Sequence, residues 1–123
     1  MQRVRLTAGA VSMEVELADS AFAKRLIKSL PVASLANRWG DEIYFEVPVS
    51  GEEEPGARQD MEVGEVAFWP VGSALCVFFG PTPASRGIRP RAYSPVNPVG
   101  RVLGDPLEFK AVKDGDDVLI EKA

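Results

Sequence analysis

The sequence predicts a mostly-β protein, folded as a single domain over residues 1–123 into a closed antiparallel β-barrel with two short helices. Short apolar segments recur along the chain between clusters of glycine, proline and aspartate, a pattern typical of strands joined by turns. Helical signals occur only twice, once after the first pair of strands and once before the last strand. This arrangement suits a barrel with a helix at each end.

The first hairpin has the clearest pattern in the chain. Residues 3–17 alternate polar and apolar side chains on both sides of Gly9-Ala10, which fits a two-residue turn. This turn places Arg5 opposite Glu14 on one face and apolar residues opposite each other on the other face. Because the charges and the apolar side chains select the same register, the sequence predicts the pairing as well as the strands.

Two helices are predicted from capping residues and apolar spacing. The first begins at Asp19 or Ser20, either of which can cap it, and ends at Pro31, because the residue before a proline avoids helical geometry. The second covers residues 106–112 and is capped by Asp105, which precedes a proline at the first helical position. The apolar stripe of the first helix consists of Phe22, Leu26, Ile27 and Leu30.

The remaining predicted strands cover residues 34–39, 42–48, 65–70, 74–79, 99–103 and 117–121. The first two of these are predicted to pair, with Leu35, Asn37 and Trp39 set against Ile43, Phe45 and Val47. Segments 65–70 and 74–79 are apolar without alternation, which indicates strands buried on both faces.

Two segments are predicted to be loops. Residues 50–60 are rich in glycine and glutamate, and their adjacent carboxylates are more typical of a solvated loop than of a metal site. Residues 80–98 contain five prolines and three arginines and fit no regular element. Long ordered loops often carry function, so this second loop is a candidate part of a binding site.

Charge is distributed unevenly along the chain, whose net charge is −4. Residues 41–65 hold nine acids and one base, Arg58, whereas residues 66–104 hold four arginines and no acid. Two interpretations follow: the arginine segment forms an anion-binding patch, or the acidic and arginine segments face each other. The negative total argues against a nucleic-acid-binding surface.

Several kinds of site are excluded by composition. The chain has no histidine, so Ser-His-Asp and Cys-His catalytic systems and histidine-containing metal sites are excluded. No metal and no cofactor is predicted. The single cysteine, Cys76, lies in an apolar strand and is predicted to be an inert core thiol in a cytoplasmic protein. The purest apolar run, residues 74–79, is too short to span a bilayer, so no membrane partner is expected.

Several motifs make the chain resemble the cyclophilin-type barrels. Residues 77–82 (Val-Phe-Phe-Gly-Pro-Thr) resemble the Gln-Phe-Phe-Ile-Thr strand of cyclophilins, and residues 99–104 (Val-Gly-Arg-Val-Leu-Gly) resemble their Phe-Gly-Lys-Val-Val-x-Gly turn. More closely, residues 40–45 and 64–70 are similar to a small prokaryotic cyclophilin-like family without an assigned role. The resemblance covers nearly the whole chain and implies the barrel fold.

The resemblance does not carry over the catalytic residues of cyclophilins. Those enzymes isomerise X-Pro bonds with an arginine, aided by Gln, Phe, Trp and His. Glu46 stands where the arginine is expected, Val77 replaces the glutamine, and histidine is absent; only Phe79 matches. Three hypotheses therefore stay open: a domain that binds a small molecule or peptide segment at the barrel rim, a prolyl isomerase with a rearranged site, and an interaction module beside a larger amide- or urea-processing enzyme.

Five residues are predicted as ligand-binding candidates: Arg58, Trp69, Phe79, Tyr93 and Asn97. Trp69 ends an apolar strand and either forms a pocket wall or plugs the barrel mouth. Arg58 either balances the acids around it or clamps a carboxylate. The expected partners are a small anionic ligand or a proline-containing peptide, or else a partner protein.

Overall fold

Ten strands pair antiparallel in the computed structural model, which describes residues 1–123. The strands are β1 (Gln2–Ala8), β2 (Val11–Leu17), β3 (Val32–Leu35), β4 (Asn37–Arg38), β5 (Glu42–Glu46), β6 (Arg58–Asp60), β7 (Glu65–Trp69), β8 (Ala74–Phe78), β9 (Arg91–Val102) and β10 (Asp117–Lys122). Helix α1 (Ala21–Ser29) follows β2, and a 3₁₀ helix (Pro106–Ala111) precedes β10. Neither helix combines the length and the apolar character that crossing a bilayer would need.

The strand order confirms the predicted antiparallel, mostly-β class with two short helices. The order is β3-β10-β1-β2-β9-β7-β8-β5-β4, and β6 pairs separately with β9. The two end strands, β3 and β4, are separated in the chain only by Ala36. Backbone pairing that would close the sheet into the predicted barrel is not detected between these ends.

The local predictions for the first hairpin and the helices are confirmed. Arg5 lies opposite Glu14, as the alternating pattern requires. Of the two predicted caps for α1, Ser20 is the one used: its side-chain oxygen accepts a hydrogen bond from the Ala23 amide at 3.0 Å. Asp105 caps the 3₁₀ helix in the same way.

The sheet is apolar on both faces in its β7–β8 region. In β8 all five residues are buried, as the run without alternation predicts. Leu75 and Val77 belong to the main core, which is shared by both ends of the chain. Cys76 and Phe78 belong to a smaller cluster on the opposite face. The other members of this outer cluster are Met61, Ala67, Ala92 and Val96.

The predicted pairing of residues 34–39 with 42–48 is confirmed only at residues 37 and 38. The chain changes partner at Ala36: before it, β3 pairs with β10, and after it only the two residues of β4 pair with β5. Asn37 lies opposite Tyr44, so the register also differs from the predicted one. The cause is long-range, because the Ala36 amide donates to the Asp116 carbonyl and its carbonyl accepts from the Gly115 amide.

The predicted loops are shorter than expected. Residues 80–90 are irregular, but residues 91–98 belong to the twelve-residue strand β9 in spite of Pro95 and Pro98. The pairing register of β9 with β7 shifts next to Pro98, so the missing amide falls at an irregularity of the ladder. Strand β6, within the predicted 50–60 loop, covers the outer face by pairing with β9.

Candidate functional site

A cavity of about 350 Å³ lies on the outer face of the sheet, beside the smaller apolar cluster. Both tryptophans and both tyrosines of the chain line it. The lining also contains the carboxyl group of Glu42 and the thiol of Cys76. We call this space the aromatic cavity; the four rings are those of Trp39, Tyr44, Trp69 and Tyr93.

Strand alternation places three of the lining side chains on the outer face. In β5, Ile43 and Phe45 point into the main core, so Glu42 and Tyr44 point the other way. Trp69, the last residue of β7, packs against the outer cluster. The backbone positions of these three residues are therefore set by the paired strands that carry them.

A tight turn between β4 and β5 fixes the position of Trp39 relative to Glu42. The Trp39 amide donates to the Glu42 carbonyl at 2.9 Å, and the Glu42 amide donates back to the Trp39 carbonyl at 3.2 Å. Gly40, inside the turn, has a φ of +59° and lies so close to the Thr82 backbone that a side chain would not fit. The loop after β8 thus locks the turn that carries Trp39.

The four rings form a continuous edge-to-face series. Ring centroids are 5.8 Å apart for Tyr44 and Trp69, 6.2 Å for Trp69 and Tyr93, and 5.9 Å for Trp39 and Tyr93. The indole nitrogen of Trp69 donates to the Ser94 hydroxyl at 2.7 Å, which fixes its ring orientation. Tyr93 is the most accessible member, with 72% of its surface exposed, so it lies at the opening.

Glu42 is the only acidic side chain in the lining, and it is 5% exposed. Its Oε1 atom has no hydrogen-bond partner, and the carboxyl group forms no ion pair. Burial raises the pKa of Glu42 to about 7, although a hydrogen bond with the Cys76 thiol acts in the opposite direction. An unsatisfied buried carboxyl group costs stability, and such groups are concentrated at functional sites.

Cys76 is buried, as predicted. Burial raises the pKa of its thiol well above the ordinary value, and the neighbouring Glu42 carboxyl group adds to this effect. The thiol is therefore a poor nucleophile near neutral pH. This agrees with the prediction of an inert core thiol, because the neighbouring Glu42 raises the pKa of Cys76 and does not activate it.

Of the five candidates from the sequence, Trp69 and Tyr93 line the aromatic cavity. Phe79 is 1% exposed in the main core, where it packs against Phe109 and beneath the guanidinium group of Arg38. Asn97 is buried and ties down the acidic loop: its amide oxygen accepts from the Glu54 backbone, and its amide nitrogen donates to the Glu52 carbonyl.

Arg58 lies outside the cavity lining in a two-pronged ion pair. Its guanidinium group donates to both carboxylate oxygens of Glu65, at 2.9 and 2.6 Å. Burial alone would raise the pKa of Glu65, but hydrogen bonds from Arg58 and the Glu62 backbone leave that pKa below its ordinary value. The pKa of Arg58 is raised mainly by the hydrogen bond with Glu65.

The acidic and arginine segments pair with each other. Arg91 contacts Asp60 at 3.0 Å and Arg89 contacts Glu62 at 2.9 Å, whereas the pair of Arg58 and Glu65 lies within the acidic segment. These pairs fasten β6 and the following turn to β9 and the proline-rich loop. Of the two interpretations of the charge pattern, the structure shows the segments facing each other.

Sequence reasoning missed Trp39, Glu42 and Tyr44. One signal was present: the chain contains only four Trp and Tyr residues, and these amphipathic rings favour sites that are partly apolar and partly wet. The alternation Glu42-Ile43-Tyr44-Phe45 also places the first and third side chains on one face. Neither pattern reveals that the outer face is covered and that Glu42 is buried.

No group of three or more Cys, Asp and Glu side chains is placed to hold a metal ion.

The fold is that of a cyclophilin-like domain. The sequence model of the cyclophilin-like family matches residues 2–121, so the chain belongs to that family, as the sequence motifs predicted.

A solved relative supports the same assignment. The solution structure of the hypothetical protein AF2241 from Archaeoglobus fulgidus is 39% identical, with a TM-score of 0.82, and the match covers 99% of this chain and 95% of that one. None of the curated proteins matches this chain. The comparisons therefore establish the family and the fold, and they name no ligand.

Proposed function

We propose that this protein is a small-molecule-binding domain whose ligand occupies the aromatic cavity. The observation that carries the proposal is the convergence of every Trp and Tyr side chain on one space that also holds a buried, unpartnered carboxyl oxygen. Rigid aromatic rings supply a large contact area at low entropic cost. A volume of about 350 Å³ is at the lower end of the range for ligand sites, which favours a small ligand.

We also infer that the sheet curls into a barrel around the main core, with the cavity on its outside. Strands from both ends of the pairing order contribute to one core: Val32 from β3 and Phe45 from β5 belong to the same cluster. The end strands are joined through Ala36, which is itself buried in that core. A flat sheet of this order could not bring these residues together.

The chemistry of the lining favours binding over prolyl isomerisation. Arg58, the arginine available for a rearranged isomerase site, is engaged by Glu65 and does not line the cavity. Glu46, at the position where the cyclophilin arginine is expected, is exposed.

Tyr93→Ala is expected to weaken ligand binding about tenfold, because this ring contacts both indoles at the cavity opening. The fold should tolerate the change, since Tyr93 is 72% exposed. A fragment screen of small ring compounds, followed by ¹H–¹⁵N NMR, provides the measurement. The two indole N–H signals belong to Trp39 and Trp69 and report on the cavity directly.

Ile88→Ala is the matched control, because this residue is 89% exposed in the proline-rich loop and does not line the cavity. It should leave the affinity of each fragment unchanged. Fragments that bind without shifting either indole signal, or with equal affinity for Tyr93→Ala, would contradict the assignment of the cavity as the binding site.

Arg58→Ala is expected to lower the free energy of unfolding by about 1–2 kcal/mol, because it leaves the largely buried Glu65 carboxylate without its charged partner. Fragment binding and cis–trans exchange of Ala-X-Pro peptides should be the same as in the unmutated protein. Exchange NMR on these peptides checks the second part. Catalysed exchange that disappears in Arg58→Ala but persists in Arg3→Ala, which removes an exposed arginine, would instead support the isomerase hypothesis.

A further inference from the structure

We propose that the ligand of the aromatic cavity is a small protonated amine, whose ammonium group donates a hydrogen bond to Glu42 and lies among the aromatic rings. This inference rests on the proposed function and names the chemical class of its ligand. Three independent features of the cavity lead to it: an acceptor without a donor, a lining of four aromatic rings, and the absence of a competing cation.

The first feature is the unpartnered oxygen of Glu42. Its side chain is 5% exposed, and Oε1 receives no hydrogen bond from the protein. The backbone of Glu42 is fixed by pairing with Phe78 and by the turn to Trp39. The backbone that carries the carboxyl group is therefore held in place on both sides of Glu42. A ligand N–H group in the cavity would supply the hydrogen-bond donor that the protein does not provide for Oε1.

The second feature is the nature of the walls. Aromatic rings carry negative charge on their faces and attract a cation placed within about 6 Å of the ring centre. Trp39, Tyr44, Trp69 and Tyr93 all line one space of about 350 Å³. The aromatic rings and the ionised carboxyl group thus both contribute a negative electrostatic potential. An anionic ligand would meet repulsion from both.

The third feature is that no positive side chain of the protein fills this role. No lysine or arginine lines the cavity. Arg38, which precedes Trp39 in the chain, is bound to Asp41 and to the carbonyl of Val112. The groups that face Glu42 are the Cys76 thiol from β8 and the aromatic lining, all of them uncharged near neutral pH.

A pH dependence follows from this arrangement. An ammonium group is bound by the ionised form of Glu42, and the pKa of about 7 in the free protein means that this form becomes abundant only as the pH rises. The affinity for an amine should therefore increase about 30-fold between about pH 5.5 and pH 8, and then level off. A neutral ligand of the same shape should show no such increase.

Benzylamine and benzyl alcohol are matched probes, because they share a ring and a linker and differ in charge. Each is titrated into the ¹⁵N-labelled full chain, and the two indole N–H signals are followed. We expect benzylamine to bind at least about tenfold more tightly than benzyl alcohol at about pH 7.5. Glu42→Gln should reduce this preference to the part that the aromatic rings supply, whereas Glu46→Gln, which changes an exposed acid on the same strand, should retain it in full.

The outcomes separate this inference from the proposed function. Equal affinity for the two probes, or a preference for benzylamine that is undiminished in Glu42→Gln, would overturn the amine assignment and leave small-molecule binding in place. If neither probe nor any fragment shifts the indole signals, both proposals fail. The pH dependence of benzylamine binding to the unmutated protein is a second test that needs no variant; an affinity that is flat across this range would overturn the inference.

Discussion

The free energy of unfolding is expected to fall by about 3 kcal/mol as the pH rises from about 4.5 to about 7, because of Glu42 alone. Burial raises the pKa of this carboxyl group from 4.5 to about 7 in the folded protein. The fold therefore favours the neutral form. Its stabilising effect is complete below the unfolded pKa and is lost as the pH rises through the folded pKa. Above that pH, the folded protein contains a buried carboxylate without a cation.

Urea unfolding at several pH values from about 5 to 8 measures this effect. Glu42→Gln has no titrating group at this position, so its stability relative to the unmutated protein should increase by about 3 kcal/mol across the range. Glu46→Gln serves as the control, since Glu46 is exposed on the same strand, and its difference from the unmutated protein should stay nearly constant. Stability curves that run parallel for Glu42→Gln and the unmutated protein would show that Glu42 does not titrate as described.

Gly100→Ala is expected to lower the free energy of unfolding by about 3 kcal/mol or more, because overpacking against backbone cannot be relieved by a side-chain rotation. Gly100 lies in β9 where this strand pairs with both β2 and β7. A Cβ atom there would collide with the carbonyl oxygen of Glu16 on the neighbouring strand. Since β9 also carries Tyr93, the displacement should weaken fragment binding as well.

Gly87→Ala is the matched control for this prediction. Gly87 lies in the irregular segment after β8, and an added Cβ atom would meet nothing within 4 Å. Its stability should stay within about 0.5 kcal/mol of the unmutated value, as is usual for surface substitutions. Chemical denaturation of the two variants side by side gives the comparison; equal stability would mean that β2 and β9 can separate at Gly100 without cost.

The sequence by itself determined the elements whose partners are close in the chain. The hairpin of β1 and β2 follows from alternation around Gly9-Ala10, because its hydrogen bonds and its facing side chains all lie within one turn. The helix caps Ser20 and Asp105 act on amides two or three residues away, so their signals are also local. The family motifs, which are short stretches of consecutive residues, were recognisable for the same reason.

Elements with distant partners were not determined in this way. Ala36 divides a predicted strand into β3 and β4 because its backbone bonds to Gly115 and Asp116, almost eighty positions further along the chain. Pro95 and Pro98 argue against a strand by composition, yet β9 forms because β6 and β7 pair with it through ladders whose register shifts. No local pattern contains this information.

The candidate site was only half determined by the sequence. Trp69 and Tyr93 were identified as amphipathic rings, but their meeting with Trp39, Tyr44 and Glu42 depends on how separate strands are brought together. Arg58 was the expected electrostatic anchor, and tertiary structure placed it against Glu65. In the sequence, Glu42 is one of nine acidic residues in the segment 41–65. Its carboxyl group is buried beside residues of β8 and β9, and burial of this kind depends on contacts between residues far apart in the chain.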